Sequence, residues 1–179
     1  PIFRLLPFRK MKVGIVTTGN EVLSGRINDQ FTPVVRKKLE EAGMEVMGNV
    51  LSGDDSERVT EAIRQWLDKG AEMVVCTGGM SVDPDDRTPL AIRNAADTVI
   101  TYGAPVLPGA MFMLAYAGEV PVVGLPGCVM YARRTIFDLV LPRIAAGERL
   151  TAEDFTLLGE GGLCLNCDVC TFPNCGFGK

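Results

Sequence analysis

Met73-Val74-Val75-Cys76-Thr77-Gly78-Gly79 sets a short apolar run directly against a glycine pair. A run without polar alternation, ended by turn residues, reads as a strand covered on both faces, the kind found in parallel sheets. The same pattern recurs on either side. Upstream, Val13-Gly14-Ile15-Val16 and Glu45 to Leu51 read as strands. Downstream, Thr98-Val99-Ile100 and Val120-Pro121-Val122-Val123 do so, the proline marking an edge strand or a first position. Helical spacing fills the gaps. Phe31, Val35, Leu39 and Ala42 describe a helix starting at Asp29 or Thr32 and stopped by Gly43. Val59, Ala62, Ile63, Trp66 and Leu67 describe another, with Asp54-Asp55-Ser56 offering its cap and Gly70 its end. A third begins between Asp86 and Pro89 with Thr88 as cap, and the last spans Val129 to Ala145. Strands alternating with helices predict an α/β domain, a three-layer α/β/α sandwich around a mostly parallel sheet.

The 179 residues are 47% hydrophobic and 22% charged, enough apolar material for one well-packed domain plus a short appendage. The α/β pattern covers residues 12–146. Residues 1–11 read as an N-terminal linker from a longer or processed chain, and 147–179 as a Cys-rich tail. A net charge of −4 leaves no basic excess to displace counterions from phosphates, so nucleic acid is not an expected partner. No apolar run is long enough to cross a bilayer, and the first ten residues are too broken by charge and proline for a secretory signal. There is no histidine, so chemistry must rest on carboxylates, thiols, backbone amides or a cofactor.

Ligands bind parallel sheets beyond the carboxyl ends of the strands, where loops and helix N-termini gather. Four unusual segments fall there: Thr17-Thr18-Gly19-Asn20-Glu21-Val22, Gly53-Asp54-Asp55-Ser56, Thr77 to Pro89, and Gly124-Leu125-Pro126-Gly127. Glycines let backbone approach an anion closely, and free amides at helix starts complement its charge. Each segment taken singly is also what an ordinary strand-to-helix turn looks like. Acids at three of the four suggest a divalent cation bridging to phosphate, since carboxylates alone would repel it. Arg87, Arg133 and Arg134 are available to balance the acidic Asp83-Pro84-Asp85-Asp86.

The ordered set resembles the molybdopterin-binding domain family, which includes MogA, MoaB, gephyrin domains and the central domain of MoeA. The resemblance covers Lys12 to Ala146. It rests on Thr18-Gly19-Asn20-Glu21-Val22 with Gly25-Arg26-Ile27-Asn28-Asp29, on Asp54, on Gly78-Gly79-Met80-Ser81-Val82 with Asp86-Arg87-Thr88-Pro89, and on Leu125-Pro126-Gly127. It implies molybdopterin or its adenylylated form as ligand, held by Thr18, Gly19, Asn20, Gly78, Gly79, Ser81, Pro126 and Gly127. Glu21, Asp54 and Asp86 are then the catalytic acids, around magnesium or molybdate. It also implies a dimer or trimer, and a molybdoenzyme as client. If catalytic, the chemistry is magnesium-dependent adenylyl transfer or molybdate insertion, neither of which needs histidine. The chain departs from the family after Leu-Pro-Gly, where Cys128-Val129-Met130-Tyr131 replaces the usual polar residues. Two other readings compete. CinA-type proteins share the fold and hydrolyse ADP-ribose-like diphosphates, and Asp85-Asp86 suits them. A non-catalytic pterin-binding or sensing module is the third.

The six cysteines are unevenly placed, and their clustering is a ligand pattern that favours the cytoplasm. Cys164, Cys167, Cys170 and Cys175 put four thiols in twelve residues, a density suited to zinc or an iron–sulfur cluster. This tail is expected to wrap one small centre instead of joining the core. Cys76 reads as a buried strand residue. Cys128 admits two readings, a packed side chain or a thiol with a lowered pKa at a helix start.

Overall fold

The computed structural model describes residues 2–81, 83 and 85–179. Val82 and Pro84, both in motifs noted above, lie outside the described residues, as does Pro1. In chain order the elements are β1 (Lys12–Thr18), α1 (Asn20–Leu23), α2 (Phe31–Glu41), β2 (Glu45–Ser52), α3 (Ser56–Asp68), β3 (Met73–Thr77) and α4 (Thr88–Ala95). Then follow β4 (Thr98–Tyr102), β5 (Met113–Ala117), β6 (Val120–Leu125), α5 (Ile136–Ala145) and α6 (Ala152–Leu157). One sheet runs β2-β1-β3-β6-β5-β4. Its first four strands are parallel, and β5 is antiparallel to both its neighbours.

Side-chain alternation divides the core into two halves, one on each face of the sheet. Val13 and Ile15 of β1, with Met73 and Val75 of β3, pack toward Val35 and Leu39 of α2 and Phe137 and Ile144 of α5. Val16, Val74 and Cys76 face the other way, toward Val59, Ile63 and Trp66 of α3 and Ile92 of α4. The three-layer sandwich expected from the sequence is therefore the observed one. Gly14 shows why α3 lies so close. A Cβ there would fall 2.3 Å from Cγ of Trp66, so the indole rests on bare backbone. Its Nε1 donates to the Ile15 carbonyl at 3.0 Å, so the buried indole N–H is paired. No helix of the described residues is long and apolar enough to cross a membrane.

Several local expectations change. Strand β5 has no counterpart among the expected strands, because Met113-Leu114-Ala115-Tyr116-Ala117 lacks the β-branched residues that mark strands. Its insertion beside β6 makes β6 central, and β3 pairing begins only at Val122, so Pro121 sits at a first position and not at an edge. The last helix starts later than Val129. Gly127–Met130 forms a short 3-10 turn, and α5 begins after Thr135. There Thr135 Oγ1 accepts from the Phe137 amide at 3.2 Å, and Asp138 Oδ2 accepts from the Thr135 amide at 2.8 Å, a reciprocal cap. Thr88 does not cap α4; it is buried and donates to the Gly78 carbonyl at 2.8 Å. The tail does join the core. Phe155 and Phe177 are buried in the α2–α5 half, Phe155 stacks on Phe112 at 5.6 Å, and Gly162 pairs with Phe177 as an isolated bridge.

Candidate functional site

Strand register sets the site. Thr18 of β1 lies opposite Ser52 of β2, Thr17 opposite Thr77 of β3, and Thr77 opposite Leu125 of β6. Four parallel strands thus end level, and the loops that leave them share one edge of the sheet. Because β5 reverses direction, β4 again points the same way, which brings Tyr102 to that edge too.

A ladder of buried hydroxyls fixes these loops. Thr77 Oγ1 donates to Thr17 Oγ1 at 3.2 Å, and Thr18 Oγ1 donates to the Thr77 carbonyl at 3.2 Å. Thr18 Oγ1 also lies 3.1 Å from Thr88 Oγ1. Farther along, Thr32 Oγ1 meets Thr17 Oγ1 at 3.1 Å and accepts from Asn49 at 2.8 Å. Asp29 receives the Phe31 and Thr32 amides, closing the ladder at the start of α2. Of these only Thr18 was singled out from sequence. The missed signal is the recurrence of threonine at strand ends and helix starts.

Gly78 and Gly79 adopt φ of 82° and 54°. A Cβ on Gly78 would stand 2.2 Å from the Thr18 carbonyl oxygen, and one on Gly79 would stand 2.9 Å from Thr88 Oγ1. Gly78 is therefore required by the protein's own backbone, and Gly79 by its φ and the Thr88 hydroxyl, before any ligand is considered. Asp86 closes the loop after them, its Oδ2 accepting from the Ser81 amide at 2.6 Å. Tyr102 Oη donates to the Ser81 carbonyl at 3.4 Å, and burial, then the charge of Asp86, push its pKa up. A cleft of about 420 Å³ opens here, lined by Ser81, Asp83, Asp86, Arg93, Tyr102 and Met111. Arg93, Tyr102 and Met111 were invisible to motif reading.

Asn20 and Asp54 come together as a clasp between the first two loops. Asp54 Oδ2 accepts from the Asn20 amide at 3.1 Å, and Asn20 Oδ1 accepts from the Asp54 amide at 3.4 Å. The helix cap itself is Asp55, which accepts from the Glu57 and Arg58 amides. Gly19, at φ 143°, donates to the Ser52 carbonyl at 3.0 Å. Glu21 is exposed, and its carbonyl serves the following turn through the Arg26 and Ile27 amides. Pro126 accepts from the Val129 amide, and Gly127 has open space where a side chain would stand. Among the described residues no three His, Cys, Asp or Glu side chains stand close enough to hold a metal ion. Asp86 belongs with Gly79 and Ser81, Asp54 with Asn20, and Glu21 stands apart.

Two charge expectations change. Arg134 pairs with buried Asp138 at 2.9 Å, and Arg133 donates to the Cys167 and Asp168 carbonyls, so neither balances the loop around Asp86. Cys128 is half-buried. Burial pushes its thiol up, outweighing the opposing effect of its own amide, so it is not an activated nucleophile. Cys76 is fully buried, with its pKa raised by burial alone. Of the tail cysteines, Cys164 and Cys175 are half-buried and Cys167 and Cys170 exposed.

Comparison with known proteins agrees with this fold. A CinA-like protein of Mycobacterium avium (strain 104) is 35% identical over 77 residues, covering 43% of this chain and 18% of that relative. The chain thus spans under a fifth of the curated relative it matches. The crystal structure of the molybdopterin biosynthesis enzyme MoaB from Thermus thermophilus superposes with a TM-score of 0.67 at 24% identity, over 77% of this chain and 98% of that one. The protein CinA of Thermoplasma acidophilum, described as of unknown function, gives 0.62 at 20% identity, over 75% and 98%. These two show the fold. The family described as "Probable molybdopterin binding domain" matches residues 14–146, from the first strand to the end of α5. The chain belongs to that molybdopterin-binding domain family.

Proposed function

We propose that this domain binds molybdopterin, or its adenylylated form, at the common edge formed by the ends of β1, β3 and β6, and serves synthesis, maturation or delivery of the molybdenum cofactor. One observation carries the reading: in-register strands bring the Thr18-Gly19-Asn20, Gly78-Gly79-Ser81 and Pro126-Gly127 segments to one edge, where a cleft opens beside Ser81 and Asp86. Backbone amides of the glycine turns suit the ligand's phosphate. Arg93 adds positive charge, and Tyr102 and Met111 offer a flat heterocycle an apolar wall. Asp86 acts by holding the Ser81 amide, hence the loop, in place. Asp54 does the same for Asn20.

The acids do not by themselves form a magnesium site, so a divalent cation would enter with the ligand's phosphate and draw on the remaining oxygen of Asp86. If the domain turns over, adenylyl transfer or molybdate insertion fits; assembly as a dimer or trimer, a cytoplasmic setting and a molybdoenzyme client belong to the same reading. The CinA-like match supports a second reading, hydrolysis of an ADP-ribose-type diphosphate at the same edge.

The test is anaerobic purification, identification of any released small molecule by mass spectrometry, and titration of molybdopterin with magnesium into the parent and Asp86→Ala. Losing a charged acceptor for the Ser81 amide costs about 1.5–3 kcal/mol, or roughly 10- to 100-fold in affinity. Unchanged affinity in a variant with native melting removes Asp86 from the site. Turnover of ADP-ribose without pterin binding establishes the second reading instead.

A further inference from the structure

We propose that the four tail cysteines form the cradle of a polynuclear iron–sulfur cluster, a site separate from the pterin edge and independent of that reading. The fold brings Cys164, Cys167, Cys170 and Cys175, all four, onto the wall of one cavity of about 300 Å³. They do not converge on a point, since no three of them stand close enough for a single metal ion. A tetrahedral zinc site with Zn–S bonds near 2.3 Å needs its sulfurs roughly 3.8 Å apart, which leaves no void between them. A cluster spaces its cysteines more widely, because each sulfur sits on a different iron or a different corner of the core. Four thiols lining a chamber of about 300 Å³ leave room for the second arrangement.

The chamber is held open by the rest of the fold. Cys164 donates its amide to the Leu107 carbonyl at 3.0 Å, and Cys164 and Cys175 pack against the buried core. Arg133 Nη1 donates to the carbonyls of Cys167 and Asp168 at 2.9 and 3.2 Å, pinning the backbone at Cys167 to the segment after Leu-Pro-Gly. The far wall carries Phe172 and Phe177, rings 6.3 Å apart.

The surroundings also suit an anionic core. Arg134 lies over the Phe172 ring at 4.8 Å and lines the cavity. Arg134 and Cys170 share the wall of that cavity, so a guanidinium stands beside the thiols. Donors to sulfur are among the devices by which proteins stabilise and tune such clusters. Arg134 Nε is buried without a hydrogen-bond partner among the described residues, although such groups are normally paired. Inorganic sulfide at the chamber's centre would be an acceptor of the missing kind. Loading from ferrous and ferric iron together with sulfide converts four thiols to thiolates and releases their four protons to solvent; the iron enters already in the oxidation states the cluster needs, so neither metal nor protein is oxidised in the step.

The test uses the full chain, purified anaerobically and also reconstituted with a mixture of ferrous and ferric iron and sulfide. Iron, acid-labile sulfide and zinc are measured per chain, beside visible absorption. The expected result is iron and sulfide in about equal amounts with a broad visible band, both lost in Cys167→Ser/Cys170→Ser. Those two thiols are exposed, so the double variant should keep the parent's far-ultraviolet dichroism and the buried environment of Trp66. One zinc per chain without sulfide, no iron after reconstitution, or equal iron in the folded double variant overturns the assignment.

Discussion

Replacing Gly78 by alanine tests whether the glycine pair is demanded by the protein's own packing. At φ 82° an L side chain costs about 1–2 kcal/mol in backbone strain. The added Cβ would also stand 2.2 Å from the carbonyl oxygen of Thr18, a main-chain atom that cannot rotate away. Forcing β1 and the loop apart adds about 1–3 kcal/mol, as overpacking does. The sum, about 2–5 kcal/mol, is a large share of the roughly 5–15 kcal/mol that holds a domain together. Gly25→Ala is the control: its φ is 70°, but nothing lies within 4 Å of the new Cβ, so only the strain of about 1–2 kcal/mol remains. Trp66, the only tryptophan, is buried against β1 and reports unfolding in urea by fluorescence. The Gly78→Ala midpoint should fall well below that of Gly25→Ala with an unchanged slope. Equal midpoints for the two variants would refute the argument, and the Gly78 conformation would then have to be explained by ligand approach.

Thr135→Ala should cost about 1 kcal/mol by removing the cap that receives the Phe137 amide, and Thr135→Ser should restore most of it. If both variants melt like the parent, this cap does not set the start of α5. Asp154 predicts an acid-side dependence. Burial pushes its pKa up, but the Thr151 amide and Arg143 outweigh this and hold it below the usual carboxylate value. A depressed folded pKa means the unfolded chain binds the extra proton first, so this stabilisation is complete above the unfolded pKa and is lost as pH falls through the folded one. Asp154→Asn should therefore flatten the acid limb of a melting-temperature profile between neutral pH and pH 3; a limb of unchanged steepness removes Asp154 from the linkage.

Legibility in the sequence followed the physics of each signal. Strands β1 and β3 announced themselves because Val13, Ile15, Val16, Val74 and Val75 are β-branched and covered on both faces. Strand β5 did not, since methionine, alanine and leucine satisfy a buried strand without marking one. The start of α5 was misplaced because apolar residues continue upstream of it through Val129. Only the spacing of Thr135 and Asp138, which is a cap's spacing, distinguishes the true boundary. At the site, turns were legible and partners were not. Asp54 and Asp55 are chemically identical neighbours, yet one clasps Asn20 and the other caps α3, a division that depends on where the first loop lies in space. Tyr102 stands 21 residues from Ser81 and reaches it only because β5 turns the chain back and β4 again runs with β6.

The tail shows the same limit from the other side. Thiol spacing suggests a centre but cannot tell one ion from several, because that choice would rest on the chamber's width. The width is set by contacts outside the motif: Leu107, Arg133 and Arg134 come from the loops on either side of β5 and β6, and Phe177 is drawn down into the α2–α5 core. Arg133 also fixes the relation between the two candidate sites. It lies in the segment that leaves Gly127, and it grips the carbonyls that hold Cys167 in place. The residues that depart from the family after Leu-Pro-Gly, Cys128 through Tyr131, lead directly into this grip. One short segment thus runs from the strand-end edge at Gly127 to the seating of the tail at Cys167.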